Sequence, residues 1–599
     1  MTATDSRRTS RRRSRPPFYR RWWFWLIVVV ALLVGAAAWL GIRGLEAKSE
    51  LEAALPLASQ IQEQVLAGDS AGAEATVAAM AGHTEVARAN TGDVVWRAAE
   101  FIPVAGANLA ALRQLSESSD SLVNDALSPL AEIAPLLTPD AIKPVDGAFD
   151  LATLASIQPP VAAAASAVSD SLADVKSIDP AFLLPPLSAA VDRLDRVMSE
   201  YEPLLTSTSG ILSVLPDALG ASGPRDYLLA FQNNAEVMPR GGTVGSLVLV
   251  HVEDGRISLA QQASPLDFGL GTEFVIPIEP DAQQLWLGLG KNMQNLTETP
   301  RFSLSFDIAR EMWQKKFGVE IDGLIALDPI VLSYITSATG PITLPDGGTL
   351  TRENLVKSLL SDVYVKYSNP LAQDAYYQAI SATTFEAVAS GNFDPASLLV
   401  AITKGAEEKR VLIWTSDPEE QALLDGSTFQ GEPIAGTATT EGMGIYFRDL
   451  TPSKMAYYLD QSVTVSQASC ADDGTRTTRV TVTLTNSIAP EAVKALPSYV
   501  SVARGPISKG DILIGVSAYA PAGYTLAASQ SGSESEVTPG TDGDFVVAQT
   551  RDLLSPGETI TSTFDFVAEG ADLKTMSTDI SPVVNPTTVA IETVDCSAL

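Results

Sequence analysis

The chain has 599 residues, of which 40 are basic and 71 acidic, giving a formal net charge of −31. So acidic a chain repels nucleic acid and anionic lipid surfaces, which argues against both as partners outside local basic pockets. Only two histidines occur, which excludes histidine-rich metal sites and argues against Ser-His-Asp or Cys-His catalysis.

The N-terminus predicts a single membrane span. Eight arginines lie within residues 1–21, and no charged residue occurs in residues 22–42. As a helix this run is about 31 Å long, which matches a hydrocarbon core of about 30 Å. Because arginines favour the cytoplasmic side, residues 1–21 are expected to form a cytoplasmic basic tail, with the bulk of the chain extracytoplasmic at the cell membrane. Small residues at 35–38 leave a cleaved signal peptide as an alternative.

Residues 45–220 predict an all-α helical bundle. The segment is rich in alanine, leucine and serine, and apolar residues recur at steps of four and three along one predicted helix. These residues are Leu187, Val191, Leu194, Met198 and Tyr201. Prolines at 56, 103, 144, 159–160 and 185–186 are expected to divide the segment into several helices.

Residues 225–460 predict a central α/β domain, because strand and helix patterns alternate there. Strands are expected at 227–231, 245–252 and 322–327, and helices at 306–317, 330–339 and 352–360.

Residues 465–599 predict a C-terminal β-sandwich, so the fold class is multidomain. Residues 479–484, 511–516 and 559–566 alternate apolar and polar side chains, and 529–544 are expected to form a solvated loop. Cys470 and Cys596 bracket these strands, and an oxidising compartment favours a disulfide between them. Two separate buried thiols remain the alternative.

The stretch Tyr-Leu-Leu-Ala-Phe-Gln-Asn-Asn-Ala-Glu-Val-Met-Pro-Arg-Gly-Gly at 227–242 resembles the signature of an uncharacterised bacterial envelope family, domain of unknown function 4012. The resemblance continues through 318–329, 338–342, 361–364 and 453–459. Upstream it includes Trp96, Pro103, Gly106 and Asn108. It implies a place in the cell envelope and no particular activity.

The segments 320–328, 338–343 and 350–360 are similar in order to the LytR-CpsA-Psr domain, which attaches lipid-linked glycopolymers to the cell wall. That similarity implies a site where arginines and aspartates hold a polyprenyl pyrophosphate and its metal ion. The chain departs from it, because Leu266 and Lys366 stand where the family has arginines, and lysine does not replace a bidentate arginine. Phosphotransferase activity on a polyprenyl-phosphate-linked glycan is therefore doubtful.

Polar and glycine residues that follow the predicted strands are the candidate ligand site. Glycines let a ligand approach the backbone, although they also make ordinary turns. The two cations at 240 and 366 are the groups expected to hold a phosphate. The predicted ligand-binding residues are Asn233, Asn234, Glu236, Arg240, Gly241, Gly242, Asp267 and Lys366.

Asp322 and Asp328 flank a predicted strand on one face, which suggests a site for Mg²⁺ or Ca²⁺, although no cofactor is established. The alternative is a strand-end cap followed by an Asp-Pro turn.

Two functions remain open. The first is an envelope protein associated with lipid-linked glycopolymer or cell-wall assembly, with a polyprenyl-phosphate lipid or a cell-wall glycan as ligand. The second is a non-catalytic scaffold or interaction module, which the missing arginines favour. The short N-terminal tail disfavours a sensor with cytoplasmic output.

Overall fold

The structure is a computed structural model that describes residues 22–137, 143–344, 347–437, 439–470, 474–570 and 572–596. The predicted basic tail at 1–21 lies outside the described residues. The described chain divides into two compact units, residues 22–137 with 155–212, and residues 143–154 with 213–596.

An apolar helix opens the described chain and is long enough to cross a membrane. It continues well past the predicted span, and its most apolar window has a mean hydropathy of 2.5 and is not buried by the rest of the protein. A second helix, Leu151–Lys176, is also long and apolar enough to cross a membrane, but 39% of its most apolar window is buried inside the protein. The helices up to residue 218 are α1 (Trp22–Leu66), α2 (Ser70–Thr91), α3 (Val94–Ala99), α4 (Ala105–Ser121), α5 (Ser128–Ile133), α6 (Leu151–Lys176) and α7 (Pro185–Ala218).

The helical prediction is confirmed in its main points, but two of the proposed breaks are wrong. Pro56 lies inside α1, and Pro159 and Pro160 lie inside α6. The predicted apolar face of α7 does pack in a core, where Val191 and Met198 are buried, whereas Tyr201 is half exposed.

The second unit begins with a five-stranded sheet whose order is β3-β2-β1-β4-β7. Only β1 and β4 are parallel neighbours; the other pairs are antiparallel. Its strands are β1 (Arg225–Met238), β2 (Gly241–Glu253), β3 (Arg256–Ala263), β4 (Gly323–Leu327) and, beyond the small hairpin β5 (Ile342–Thr343) and β6 (Thr349–Leu350), β7 (Val411–Thr415).

Both faces of this sheet are covered, which explains the near-continuous apolar runs of β1 and β4. Leu228 and Ala230 point into a core shared with α9, while Phe231 points into the opposite core. The helices here are α8 (Pro280–Leu285), α9 (Phe302–Phe317), α10 (Pro329–Thr339), α11 (Leu355–Lys357), α12 (Val363–Lys366), α13 (Pro370–Ala389), α14 (Pro395–Glu407) and α15 (Pro418–Leu424).

Two further five-stranded sheets follow, ordered β12-β15-β10-β9-β17 and β13-β14-β11-β8-β16. Buried side chains from both sheets belong to one hydrophobic core, which extends to Phe231 and Val331 of the first sheet and α10. The strands are β8 (Thr440–Asp449), β9 (Leu459–Cys470), β10 (Thr475–Asn486), β11 (Ile512–Ala520), β12 (Tyr524–Gln530), β13 (Thr538–Asp542), β14 (Phe545–Leu554), β15 (Thr559–Glu569), β16 (Thr575–Ile580) and β17 (Thr588–Thr593).

Two details differ from the sequence-based expectations. Strand β8 lies before the predicted boundary at 460–465, yet it pairs with β11 and β16 of the C-terminal sheets. Strand β13 lies inside the predicted loop at 529–544 and pairs with β14 at the edge of its sheet. No described cysteine is free, but because the side chain of Cys470 lies outside the described part, its pairing with Cys596 stays a prediction.

Candidate functional site

A bulge in β1 places the predicted polar residues at the end of the sheet. Asn233 is opposite Thr243 of β2, but the next paired residue is Val237, opposite Gly242. Residues 234–236 therefore leave the ladder, and a bulge of this kind redirects side chains. The parallel pairing with β4 ends at Phe231 while β1 continues to Met238, so these side chains lie within β1, just beyond the carboxyl end of β4. In α/β sheets this is where ligands commonly bind.

One side of the bulge forms the Lys454 cluster, which consists of Asn233, Glu236, Tyr364 and Lys454. Lys454 Nζ lies 2.7 Å from Glu236 Oε1 and 5.0 Å from the centre of the Tyr364 ring. Asn233 Nδ2 donates to Tyr364 Oη at 2.7 Å and to Glu236 Oε1 at 3.3 Å. Three segments that carry the family resemblance, around 233, 364 and 454, thus meet in space.

Burial raises the pKa of one group in the Lys454 cluster and of one group beside it. Burial raises the pKa of the Tyr364 phenol well above its usual value, so this hydroxyl is a neutral hydrogen-bond partner. Asp449 is also buried, and loss of hydration raises its pKa to about 7, with a smaller contribution from the charge of Glu236. Hydrogen bonds from Thr451 and Ser453 to the carboxylate oppose this rise.

The other side of the bulge forms the Asp328 cluster, which consists of Asn234, Asp328, Glu408 and Arg410. Asp328 caps α10 by accepting from the backbone N–H groups of Ile330 and Val331, both at 3.0 Å. Its second oxygen accepts from Arg410 at 2.6 Å and from Asn234 at 3.0 Å. Arg410 also donates to Glu408 at 2.7 Å. The carboxylate of Asp328 is 1% exposed, and both of its oxygens are engaged.

The predicted cation site at Asp322 and Asp328 is wrong. The two residues flank β4 at opposite ends, with the five residues of the strand between them, and the six residue steps from one to the other span roughly 20 Å. Asp322 accepts from the backbone N–H of Asp226 at 2.7 Å and lies 3.7 Å from Arg225. The two carboxylates are therefore too far apart to bind one ion, whatever face of the strand they share. Across the described ranges, no three carboxylate, histidine or cysteine side chains converge as a metal site would need.

Arg240 is not available to hold a phosphate, although the sequence predicted that it would be. Its side chain is fully buried, and Nη1 donates to Asp579 Oδ1 of β16 at 3.1 Å. Nη2 lies 2.8 Å from Asp579 Oδ2, an ion-pair contact without hydrogen-bond geometry. Tyr446 donates to the same carboxylate at 2.7 Å. Because its charge is already neutralised inside the protein, Arg240 has no route to a bound phosphate.

The space beside the two predicted ligand-binding glycines, Gly241 and Gly242, is filled by the chain itself. Gly241 has a φ of +118°, and a Cβ on Gly242 would lie 2.2 Å from the backbone of Asn233, so both positions favour glycine. The buried segment 297–300 occupies the space beside them: Thr297 Oγ1 donates to the Gly242 carbonyl at 2.6 Å. The two glycines therefore close a hairpin against this segment, which is the structural alternative left open by the sequence.

The other two predicted ligand residues lie away from the bulge. Asp267 accepts from the backbone N–H of Ser264 at 2.8 Å in a capping box and is exposed. Lys366 is exposed at the end of α12, with its Nζ 5.2 Å from the ring centre of Tyr367 and 5.8 Å from that of Tyr376. Neither joins the two clusters.

A narrow crevice lies between the carboxyl end of β4, the adjacent part of β1 and the helices that follow β4. Its walls include Phe231, Leu327, Leu332 and Tyr377, with Asp328 at one side. It has room for about one water molecule. A polyprenyl chain does not fit it in this conformation.

Sequence reasoning missed the partners of the predicted residues. Arg410, Asp449 and Asp579 each belong to a segment far from residues 233–240 along the chain. Arg410 stands alone before a strand, and Asp579 lies in a C-terminal strand. No local sequence pattern links either residue to its partner. The one available signal is that charged residues within otherwise apolar strands need partners when buried.

Comparison with known proteins supports the recognised family over part of the chain. A family model described as "Protein of unknown function (DUF4012)" matches residues 222–364, from just before β1 to Tyr364. The resemblance at 227–242 and 318–364 is thereby confirmed, whereas Trp96 to Asn108 and 453–459 lie outside the matched residues. No curated protein matches the chain.

Proposed function

We propose that this chain is a membrane-anchored, extracytoplasmic protein of the bacterial cell envelope that acts as a non-catalytic scaffold or interaction module. Its anchor would be the apolar helix α1, with residues 1–21 in the cytoplasm. The length and hydropathy of α1 support the anchor, and the eight arginines before it support the orientation.

The observation that carries the non-catalytic assignment is the internal use of the charged groups near the bulge. Arg240 is paired with Asp579, Arg410 with Asp328, and Lys454 with Glu236. A pyrophosphate site needs cations whose charge is available to the ligand. Here the cations and carboxylates stabilise contacts between segments of the second unit, which suits a rigid scaffold.

A second candidate is association with a lipid-linked glycopolymer at the outer leaflet. The position of the crevice at the carboxyl end of β4, where its parallel pairing with β1 stops, favours it, because such a place is a common binding site. The Lys454 cluster borders the same sheet end, and Lys454 is the cation there that retains some exposure. Binding would require the crevice to widen.

Titration calorimetry distinguishes the two candidates. The full chain in detergent is titrated with a polyprenyl phosphate, and Lys454→Gln is the matched variant. A scaffold predicts no saturable heat in either protein. Saturable binding by the unchanged chain that Lys454→Gln weakens at least tenfold, or about 1.4 kcal/mol, would favour the glycopolymer candidate instead.

A further inference from the structure

One end of the helical unit presents a cluster of exposed apolar side chains, which we call the apolar tip. It is formed by α3 with the turn that follows it, and by the loop before α7. Phe101 is 90% exposed and Val94 84% exposed, and none of the others is less than 44% exposed. The apolar tip consists of Val94, Val95, Phe101, Ile102, Val104, Phe182 and Leu184.

A single side chain joins the two segments of the apolar tip. Asn108 Nδ2 donates to the Val104 carbonyl at 3.1 Å and to the Phe182 carbonyl at 2.9 Å. Its Oδ1 accepts from the backbone N–H of Leu184 at 2.7 Å. The side chains of 101–104 and of 182–184 are therefore held together at one place, although about 80 residues separate them in the sequence.

Specific contacts fix the backbone of the first segment, residues 94–104, so the exposure of its apolar residues is a property of the fold. The Trp96 ring is fully buried, and its Nε1 donates to the Leu109 carbonyl at 3.0 Å. A Cβ on Gly106 would lie 1.9 Å from the Glu100 carbonyl oxygen, so the turn requires glycine there. Val104 has a φ of +66°, and Ala105 N–H donates to the Pro103 carbonyl at 2.8 Å across it. Such a strained turn at a β-branched residue is rare outside functional sites.

The apolar tip lies beside the place where the apolar part of α1 ends. Trp39 Nε1 donates to Asp93 Oδ2 at 3.1 Å, immediately before α3. The buried Trp96 ring approaches to 3.4 Å of the position that a Cβ on Gly44 would take. Arg43, the first charged residue of α1, lies 4.5 Å above the Trp39 ring. Tryptophan and arginine in this order are typical of the membrane–water interface.

The charged residues near the apolar tip are used internally. Arg113 binds Glu100 at 2.7 Å and Glu117 at 2.6 Å, and Arg97 lies 4.0 Å from Glu117. The exposed apolar side chains of the tip thus lie beside ion-paired residues, of which Arg97 is itself mostly exposed. Exposed apolar patches of this kind mark interaction sites, and this one is continuous with a helix that has the properties of a membrane span.

We propose that the apolar tip inserts into the outer leaflet of the membrane beside α1, which rests on the proposed anchoring of α1. A single helix leaves a domain free to tilt and swivel. A second, apolar point of attachment would fix the helical unit at a set orientation on the bilayer surface. The partner of this surface is thus the lipid bilayer.

Depth-dependent fluorescence quenching tests this proposal on the full chain reconstituted into phosphatidylcholine vesicles. Phe101→Cys and Phe182→Cys are each labelled with an environment-sensitive fluorophore, and lipids carrying a nitroxide on the acyl chain are the quencher. Asp125→Cys is the control, since it is exposed in the π-helical segment Leu122–Leu127 that continues α4, about 30 Å of helix away from the apolar tip. Leu33→Cys in α1 reports on the anchor. The unsubstituted chain measures labelling of the native cysteines.

The proposal predicts that labels at 101 and 182 lose most of their fluorescence to the lipid quencher, while the label at 125 does not. If the label at 33 is quenched but those at 101 and 182 are not, the anchor stands and the insertion is wrong. If the labels at 101 and 182 are shielded from a water-soluble quencher but not reached by the lipid quencher, a protein covers the tip, which also overturns the proposal. A label at 33 that the lipid does not reach would contradict the anchoring itself.

Discussion

Arg240 and Asp579 form a buried ion pair across 339 residues of chain, with Nη2 and Oδ2 2.8 Å apart. The arginine lies in the hairpin between β1 and β2, and the aspartate lies in β16 of a C-terminal sheet. The segment after β16 adds two more links, because its Pro582 carbonyl accepts from Asn234 and its Val583 carbonyl accepts from Arg410. The residues that carry the family resemblance in this hairpin thus join the first sheet to the C-terminal sheets.

The Asp328 cluster gives the first prediction. Asp328→Asn keeps the cap of α10 but removes the buried carboxylate that pairs with Arg410, which leaves the partly exposed Glu408 as the remaining charged partner of that guanidinium. Breaking a buried pair typically costs about 3–5 kcal/mol, so the free energy of unfolding should fall by that order. Asp322→Asn at the other end of β4 is the control and should cost about 1 kcal/mol or less, because that carboxylate is partly exposed. Denaturant unfolding of the full chain in detergent measures both, and equal losses would contradict the assignment.

Divalent cations should not stabilise the protein through Asp322 and Asp328. A ligand that binds only the folded state raises the melting temperature with its concentration. Since the two carboxylates are roughly 20 Å apart, Mg²⁺, Ca²⁺ and EDTA should each leave the melting temperature unchanged in a thermal scan. An increase with Mg²⁺ that disappears in Asp328→Asn would restore the predicted metal site.

Asp449 gives a pH-dependent prediction. Burial raises its pKa from the usual 3.8 to about 7 in the folded protein, so the folded state holds a proton that the unfolded state releases. The stabilisation from this group is therefore complete below about pH 4 and is lost as the pH rises through about 7. Asp449→Asn should remove this contribution. The difference in unfolding free energy between the two proteins should change between pH 4 and 7, and a constant difference would contradict the shift.

The proposed topology predicts which part of the chain a protease can reach. Charge asymmetry places residues 1–21 inside the cell, so protease added to intact spheroplasts should digest the chain beyond about Lys48. An epitope at the N-terminus should survive until the membrane is permeabilised. Protection of the whole chain from the protease in intact spheroplasts would contradict the proposed orientation.

Regular elements were predictable because their patterns are local. The alternation of apolar and polar side chains at 479–484 lies in β10, and the helical spacing of apolar residues at 306–317 lies in α9. Strand β13 was missed because an edge strand with Pro539 and Gly540 shows the composition of a loop. Its pairing with β14 is a tertiary contact that no window of sequence contains.

The polar residues of the site were predictable, but their roles were not. Asn233, Asn234 and Glu236 are all buried at the bulge in β1, but Asn234 belongs to the Asp328 cluster and the other two to the Lys454 cluster. Arg240 was misjudged because an arginine beside two glycines looks the same whether it faces solvent or a carboxylate 339 residues away. The cation site at Asp322 and Asp328 was wrong because the separation of the two residues along the strand was neglected.

The most direct test of the scaffold account is a double-mutant cycle on Arg240 and Asp579 in the full chain, with unfolding free energies measured in denaturant. Arg240→Met and Asp579→Leu each leave one buried charge without its partner and should each cost about 3–5 kcal/mol. Arg551→Ala at an exposed position of β14 is the control and should stay within about 0.5 kcal/mol.

The account predicts that the double variant, which replaces the pair by apolar side chains, recovers most of the lost stability, because neither charge is then left buried without its partner. Single costs that add in the double variant, or single variants as stable as the control, would contradict a structural role for this pair and with it the central claim.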